Sequence, residues 1–336
     1  MVLLVTLWGS AGCYYSHLAQ GQARVLWGRV AIAEVLADPD TPPLLAQRLR
    51  LVLAARDFGQ TLGLEVDGQY TSYLPWPDDR ILTNLVVAEP GQIEARPFRF
   101  PLIGAVPYKG FFDRGWAESE AERFRGRGLD VCLVPVSAYS TLGFFDDPVS
   151  DPMLASRDGR LVETVLHELV HATVFLEGRP NFNEGAASFI GQEASVLFFA
   201  NDLENANRRR QEVLEARTLA RFQMAFRAEI ATLYDETSDE ATRARLREEA
   251  ESRAREQLRA LALTTYNAQQ LADNIALNDA CLALRGTYTE EIPRFETVLA
   301  SLDGDLIAFI ARLRDAATDE DPEAKFFSSP AAEDER

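Results

Sequence analysis

The sequence predicts an α+β fold, mostly helical, with a small mixed β-sheet placed before a helix that carries His-Glu-x-x-His. Three observations predict it. Apolar residues recur at three-four spacing in several stretches, as half-buried helices require. Strand-like runs bounded by Pro, Gly and Asp are concentrated between residues 61 and 136. Two of the three histidines, His167 and His171, stand four residues apart inside one helical stripe. At 336 residues the chain can bury one large core or two smaller ones.

Residues 1–13, "MVLLVTLWGSAGC", form a short apolar run that ends in small residues and is too short to span a membrane. The run resembles a secretion signal that stops at a lipidated cysteine. No basic residue precedes it, and Ser10 stands where a lipobox usually has Leu. The expectation is export, with lipid on Cys13 attaching the protein to the membrane of the cell envelope, facing the periplasm. The alternatives are a buried N-terminal strand and a cytoplasmic chain.

Residues 14–60 predict two helices broken at "ADPDTPP". "TNLVVAEP", "FRFPLIGAVPY" and "LDVCLVPV" predict strands, with the short charged helix "AESEAERFRGRG" before the last. "SAYSTLGFFDDPVSDPML" is irregular and looks built to line a cleft. Residues 213–233 place Leu219, Phe222, Phe226, Ile230 and Leu233 on one stripe. With 240–262 they predict a helical hairpin, the second arm opened by a capping box of Thr237 and Glu240. A partner-binding coiled coil is the alternative, but the stripe is shorter than three clean heptads. The domain reading is a catalytic region over 14–200 behind the leading segment 1–13. A helical region over 201–315 packs on it, and 316–336 is a structureless acidic tail.

A net charge of −18 argues against nucleic acid as a partner. Cys132 and Cys281 lie in apolar runs without metal-ligand spacing and read as buried small hydrophobes rather than a disulfide.

The chemistry concentrates in "LHELVHATVFLEGRPNFNEGAASF", residues 166–189. Leu161, Val165, Leu166, Leu169 and Val170 give the helix its buried stripe, and His167 and His171 project from one face, one turn apart. Two neutral imidazoles so placed can bind one Zn²⁺. Glu168 is rotated off that face, where a general base can take a proton from the attacking water. Gly178 and Pro180 end this helix, and Asn181 or Asn183 can cap a second one. Glu184, thirteen residues past His171, is a candidate third ligand, and Gly185 beside it would let the helices approach. A helix running to Glu177 would instead bring residue 188 or 189 level with the histidines, so Glu193 is the fallback ligand.

"HELVH" followed by "NEGAASF" resembles the gluzincin metallopeptidases, whose aminopeptidases carry a similar Asn-Glu-Gly-x-Ala-Ser-Phe stretch. "VPYKGFFD", "AYSTLGFFDDP", "HELVHATVF" and "FNEGAASFIGQE" are similar to a bacterial family of putative aminopeptidases of lipoprotein type, over roughly residues 80–195. "NDACLALRGTYTEEIPRF" carries a weaker likeness. The resemblance implies a zincin-like fold and a zinc peptidase with His167, His171 and Glu184 on the metal. The spacing from His171 to Glu184 is shorter than in the large aminopeptidases. Their Gly-x-Met-Glu-Asn motif, which holds a substrate amine, is absent.

A tetrahedral intermediate needs a hydrogen-bond donor for its oxyanion. Tyr288, which follows the motif as the gluzincin tyrosine does, is preferred to Tyr139 of the cleft segment, the alternative for either being an ordinary core tyrosine. His17 reads as an ordinary surface residue, and Asn278 as a substrate contact or an orienting group. The function expected is hydrolysis of peptides, by an aminopeptidase on the resemblance, with zinc activating the water and Glu168 as base. The alternative is a non-catalytic envelope lipoprotein that uses a zincin fold to bind a partner.

Overall fold

The computed structural model describes residues 5–100, 104–138, 146–284 and 291–328. Helix α1 (Val5–Trp27) runs through Cys13 where a buried strand was the alternative, and is followed by β1 (Val30–Ala31), α2 (Ile32–Ala37) and α3 (Pro43–Thr61). The break before α3 falls at the expected prolines, with Pro43 in the first turn, where a missing N–H costs nothing. Then come β2 (Ser72–Leu74), β3 (Leu82–Ala88), β4 (Phe98–Phe100), β5 (Gly104–Val106) and β6 (Lys109–Phe111). Helix α4 (Arg114–Arg125), β7 (Asp130–Val136), β8 (Val149–Ser150) and α5 (Asp151–Leu154) lead to the central pair, α6 (Asp158–Thr173) and α7 (Pro180–Phe198). The remainder is helical: α8 (Leu203–Glu236), α9 (Glu240–Arg259), α10 (Ala268–Asn274), α11 (Asp279–Leu284), α12 (Ile292–Ser301), α13 (Leu306–Ala316) and α14 (Pro322–Phe327). The fold is α+β and mostly helical, as its sequence predicts. No described helix is long and apolar enough to cross a membrane.

The strands form small sheets before α6. One is mixed, in the order β1-β2-β8; the second is antiparallel, β6-β3-β7; the third is the hairpin β4-β5, into which "FRFPLIGAVPY" divides. Successive side chains of a strand point to opposite faces, and β3 is covered on both. Leu85 and Val87 pack with Ala117 and Ala121 of α4. Val86 and Ala88 pack on the other face with Ala280 of α11. Cys132, opposite Val86 on β7, lies on that second face and meets Cys281 of α11. The two form a disulfide, with Cα atoms 5.0 Å apart. The reading of two separate buried thiols is therefore corrected: 149 residues apart in sequence, they are brought together by the docking of α11 on the sheet.

The main core joins α3, α6, α7, α12, α13 and α14. Its centre is aromatic: Phe309 lies 5.3 Å from Phe189 and 5.2 Å from Phe326, ring centre to ring centre. Phe326 is fully buried, so part of the stretch expected to be a structureless tail closes the core as α14. Burying one such ring is worth roughly 1.5–3 kcal/mol. The α8–α9 hairpin forms with Phe226 and Ile230 packed on Ala250 and Ala254. Its turn differs from the expected capping box. Thr237 ends α8, and Asp239 caps α9 by accepting from Thr242 N–H.

Candidate metal centre

On α6, Leu161, Val162, Val165, Leu166, Leu169 and Val170 are buried, which fixes the rotation of the helix and turns His167 and His171 to the opposite side. Their Nε2 atoms lie 3.2 Å apart. One carboxylate oxygen of Glu184 is 3.6 Å from His167 Nε2, and the other is 3.6 Å from His171 Nε2. Ligand atoms arranged tetrahedrally about Zn²⁺ at its usual bond lengths stand about 3.3 Å apart. The three groups therefore fit one small cation, and they are the group of described His, Cys, Asp and Glu residues whose ligand atoms converge in this way.

Glu184 reaches the histidines because α6 stops early. Its last residue is Thr173, and Val174 is already extended, at φ −142°. The loop turns at Gly178, whose φ of 74° lies in the left-handed region that glycine tolerates. Asn183 does not cap α7, whose N-cap is Arg179. Instead its buried amide grips the loop: Nδ2 donates to Leu176 O (2.8 Å), and Oδ1 accepts from Leu176 N–H (2.9 Å). Glu184 follows directly. The conflict posed by a first helix reaching Glu177 is thereby removed.

Two further expectations are corrected. The close approach of α6 and α7 depends on Gly191, not Gly185. A Cβ at 191 would lie 3.0 Å from Glu163 O and 3.2 Å from His167 N, whereas one at 185 would meet Phe295. Glu193 is not available as a ligand, since it accepts from Arg210 (2.8 Å) and Arg217 (2.7 Å).

The field at the site is negative. Burial pulls the His167 pKa down, but the Glu184 carboxylate 3.6 Å away and the charges of Glu168 and Glu163 outweigh this and raise it. His171 is lowered to about 4 by burial and by His167, against the pull of Glu184, so it is neutral at pH 7, as a ligand must be. Burial pushes Glu184 up, but the two histidines more than offset it and hold the group as a carboxylate. A field that draws a proton to His167 draws a metal cation to the same place.

These residues open on a cleft of about 740 Å³, also lined by Asn84, Tyr108, Val134, Ser137, Gln192 and Glu168. Glu168 lines this wall beside the three donors. The disulfide lines the same cleft. Tyr139 and Tyr288 lie outside the described residues. Asn278 orients a neighbour: it donates to Val131 O (2.9 Å) and accepts from Cys281 N–H (3.0 Å). His17 is not an ordinary surface residue. It is half-buried, accepts from Phe112 N–H (3.1 Å) and stacks on Trp116 at 4.6 Å, tying α1 to the sheet. Tyr108 was missed: "VPYKGFFD" shows a Pro-Tyr before a short strand, but nothing in it says that this strand edge faces the histidines.

A family model described as putative aminopeptidase matches residues 13–326. The match covers nearly the whole chain, and the chain belongs to that family. Comparison with curated proteins and with solved structures found no match.

Proposed function

We propose that this member of the putative aminopeptidase family is a zinc-dependent peptidase of gluzincin type, hydrolysing peptide bonds at the His167–His171–Glu184 centre. The observation that carries the reading is the convergence of three donors at 3.2, 3.6 and 3.6 Å on one wall of an open cleft. His167 and His171 would hold the ion through Nε2, and Glu184 through its carboxylate. Zinc, when bound, supplies a Lewis acid that polarises the peptide carbonyl and makes water a better nucleophile near neutral pH.

The remaining steps belong to the chain. The water oxygen bonds to the carbonyl carbon as the Glu168 carboxylate takes its proton. The C–N bond then breaks, and Glu168 returns the proton to the leaving nitrogen. Removal of an amino-terminal residue follows from the family's description. The described cleft residues assign no group to a substrate amine, and an internal peptide bond meets the same chemistry.

We further propose that the protein acts in the cell envelope, attached through lipid on Cys13. The Cys132–Cys281 disulfide supports an oxidising compartment. Metal analysis tests the site. One zinc per wild-type chain is expected, and none in the His167→Ala/His171→Ala double variant. Stoichiometric zinc in the double variant would overturn the assignment.

A further inference from the structure

A donor for the substrate's carbonyl oxygen can be sought on the cleft wall. Tyr108 stands there with His167, Glu168, His171 and Glu184, and it is 39% exposed. It is close enough to Glu184 for that carboxylate's charge to act on its phenol. Its backbone is held firmly. The next residue, Lys109, opens β6 and pairs with Leu85 of β3, while Gly110 pairs with Asn84, itself on the cleft wall. Pro107 before it restricts the chain on the other side.

The arginines of the wall are engaged. Arg217 donates to Gln192, Glu193 and Glu296, and Arg160 to Glu163. Tyr108, by contrast, makes no hydrogen bond to any described residue. A hydroxyl on a part-exposed tyrosine at a strand edge, left without a partner among the described residues beside the three donors, has its hydrogen bond available for a bound molecule.

Building on the peptidase reading above, we propose that Tyr108 is a catalytic residue. Its phenol O–H donates a hydrogen bond to the carbonyl oxygen of the bound peptide bond as that oxygen takes on negative charge. No proton is transferred; burial and the charge of Glu184 raise the phenol's pKa above its ordinary value, so the tyrosine stays protonated. The interaction strengthens as charge develops, so it acts on turnover more than on peptide binding.

The test compares full-length wild type with Tyr108→Phe, which keeps the ring and removes the hydroxyl. Tyr139→Phe and Tyr288→Phe serve as comparators, and zinc content is measured in each. With a peptide library unblocked at the amino end, Tyr108→Phe should lower kcat about 10²–10³-fold with KM nearly unchanged. Its affinity for a phosphinic dipeptide, whose phosphorus oxygens imitate the charged intermediate, should fall in step, while affinity for the product dipeptide stays put. Zinc content should equal that of wild type. Active wild type matched by Tyr108→Phe in kcat and in phosphinate affinity would overturn this assignment alone. So would a loss of kcat found only with Tyr139→Phe or Tyr288→Phe. Zinc-loaded wild type that cleaves nothing would overturn the peptidase reading, and the role of Tyr108 with it.

Discussion

Replacing Asn183 by Ala removes the two hydrogen bonds that fix the loop between the histidines and Glu184. Both are short, 2.8 and 2.9 Å, and they join buried groups, Asn183 at 4% exposure and Leu176 at 7%. Truncation leaves the N–H and C=O of Leu176 without partners, at about 1–3 kcal/mol each. Some relief comes if water enters the space left by the amide, so the expected loss is roughly 2–5 kcal/mol. For a chain of this size that lowers Tm by roughly 3–7 °C. The effect reaches the metal because Glu184 is the next residue, and a loosened first turn of α7 no longer holds its carboxylate 3.6 Å from both imidazoles. Loss of such support typically weakens metal binding about 10–100-fold. Thermal melts of metal-free protein, with zinc affinity by chelator competition, measure both effects. Asn183→Asp should fall between, since it keeps the acceptor for Leu176 N–H but sets a charge against Leu176 O. If Asn183→Ala melts with wild type and binds zinc as tightly, the loop is held by something else and the account of how Glu184 is placed is wrong.

Gly191→Ala should cost about 1–3 kcal/mol and weaken zinc binding, because its Cβ would press on backbone atoms of Glu163 and His167 that cannot swing aside. A variant as stable as wild type would show that α6 and α7 have room to spare. Cys281→Ser, or reduction of the wild type, should lower stability to denaturant by roughly 2–5 kcal/mol, since the bond closes a loop across 149 residues. Equal midpoints with and without reductant would contradict the pairing. Glu215 gives an acid limb to the stability curve. Burial pushes its pKa up, but hydrogen bonds from Thr265, Gln211 and Thr264 outweigh this and hold it far below the usual carboxylate range. The unfolded state therefore takes up the proton first as pH falls. The stabilisation is complete above about pH 4.5 and is lost progressively below it. In Glu215→Gln the acid limb should flatten, and an unchanged limb would rule this source out.

How much of the site could be read from sequence depended on the range of the forces involved. The rotation of α6 was legible because local periodicity sets it, and so were His167 and His171. Glu184 was legible from its motif, but not the geometry that delivers it. No breaker stands at Val174, and the end of α6 is set by Asn183 gripping Leu176 and by Glu65 N–H donating to Thr173 Oγ1 from 108 residues away. Cys132 and Cys281 looked like isolated hydrophobes, since only the face on which α11 docks makes them neighbours. Phe326 was hidden by an acidic segment in which mean composition outweighed one aromatic pair. Tyr108 was invisible for a similar reason: the pairing of β6 with β3 aims it, and pairing is a long-range property.

The proposed hydrolysis of peptides rests on a metal site with a base beside it. Turnover of Glu168→Gln at matched zinc content tests this most directly. Glu168 is assigned no part in holding zinc, so the variant should carry one zinc per chain, melt near wild type and bind the product dipeptide equally well. Glutamine keeps the shape and cannot take the proton, so kcat should fall by at least the roughly 10²–10⁴-fold that a lost general base costs. Glu184→Gln, measured beside it, should lose zinc and activity together. Zinc-loaded Glu168→Gln cleaving peptide as fast as wild type would contradict the account.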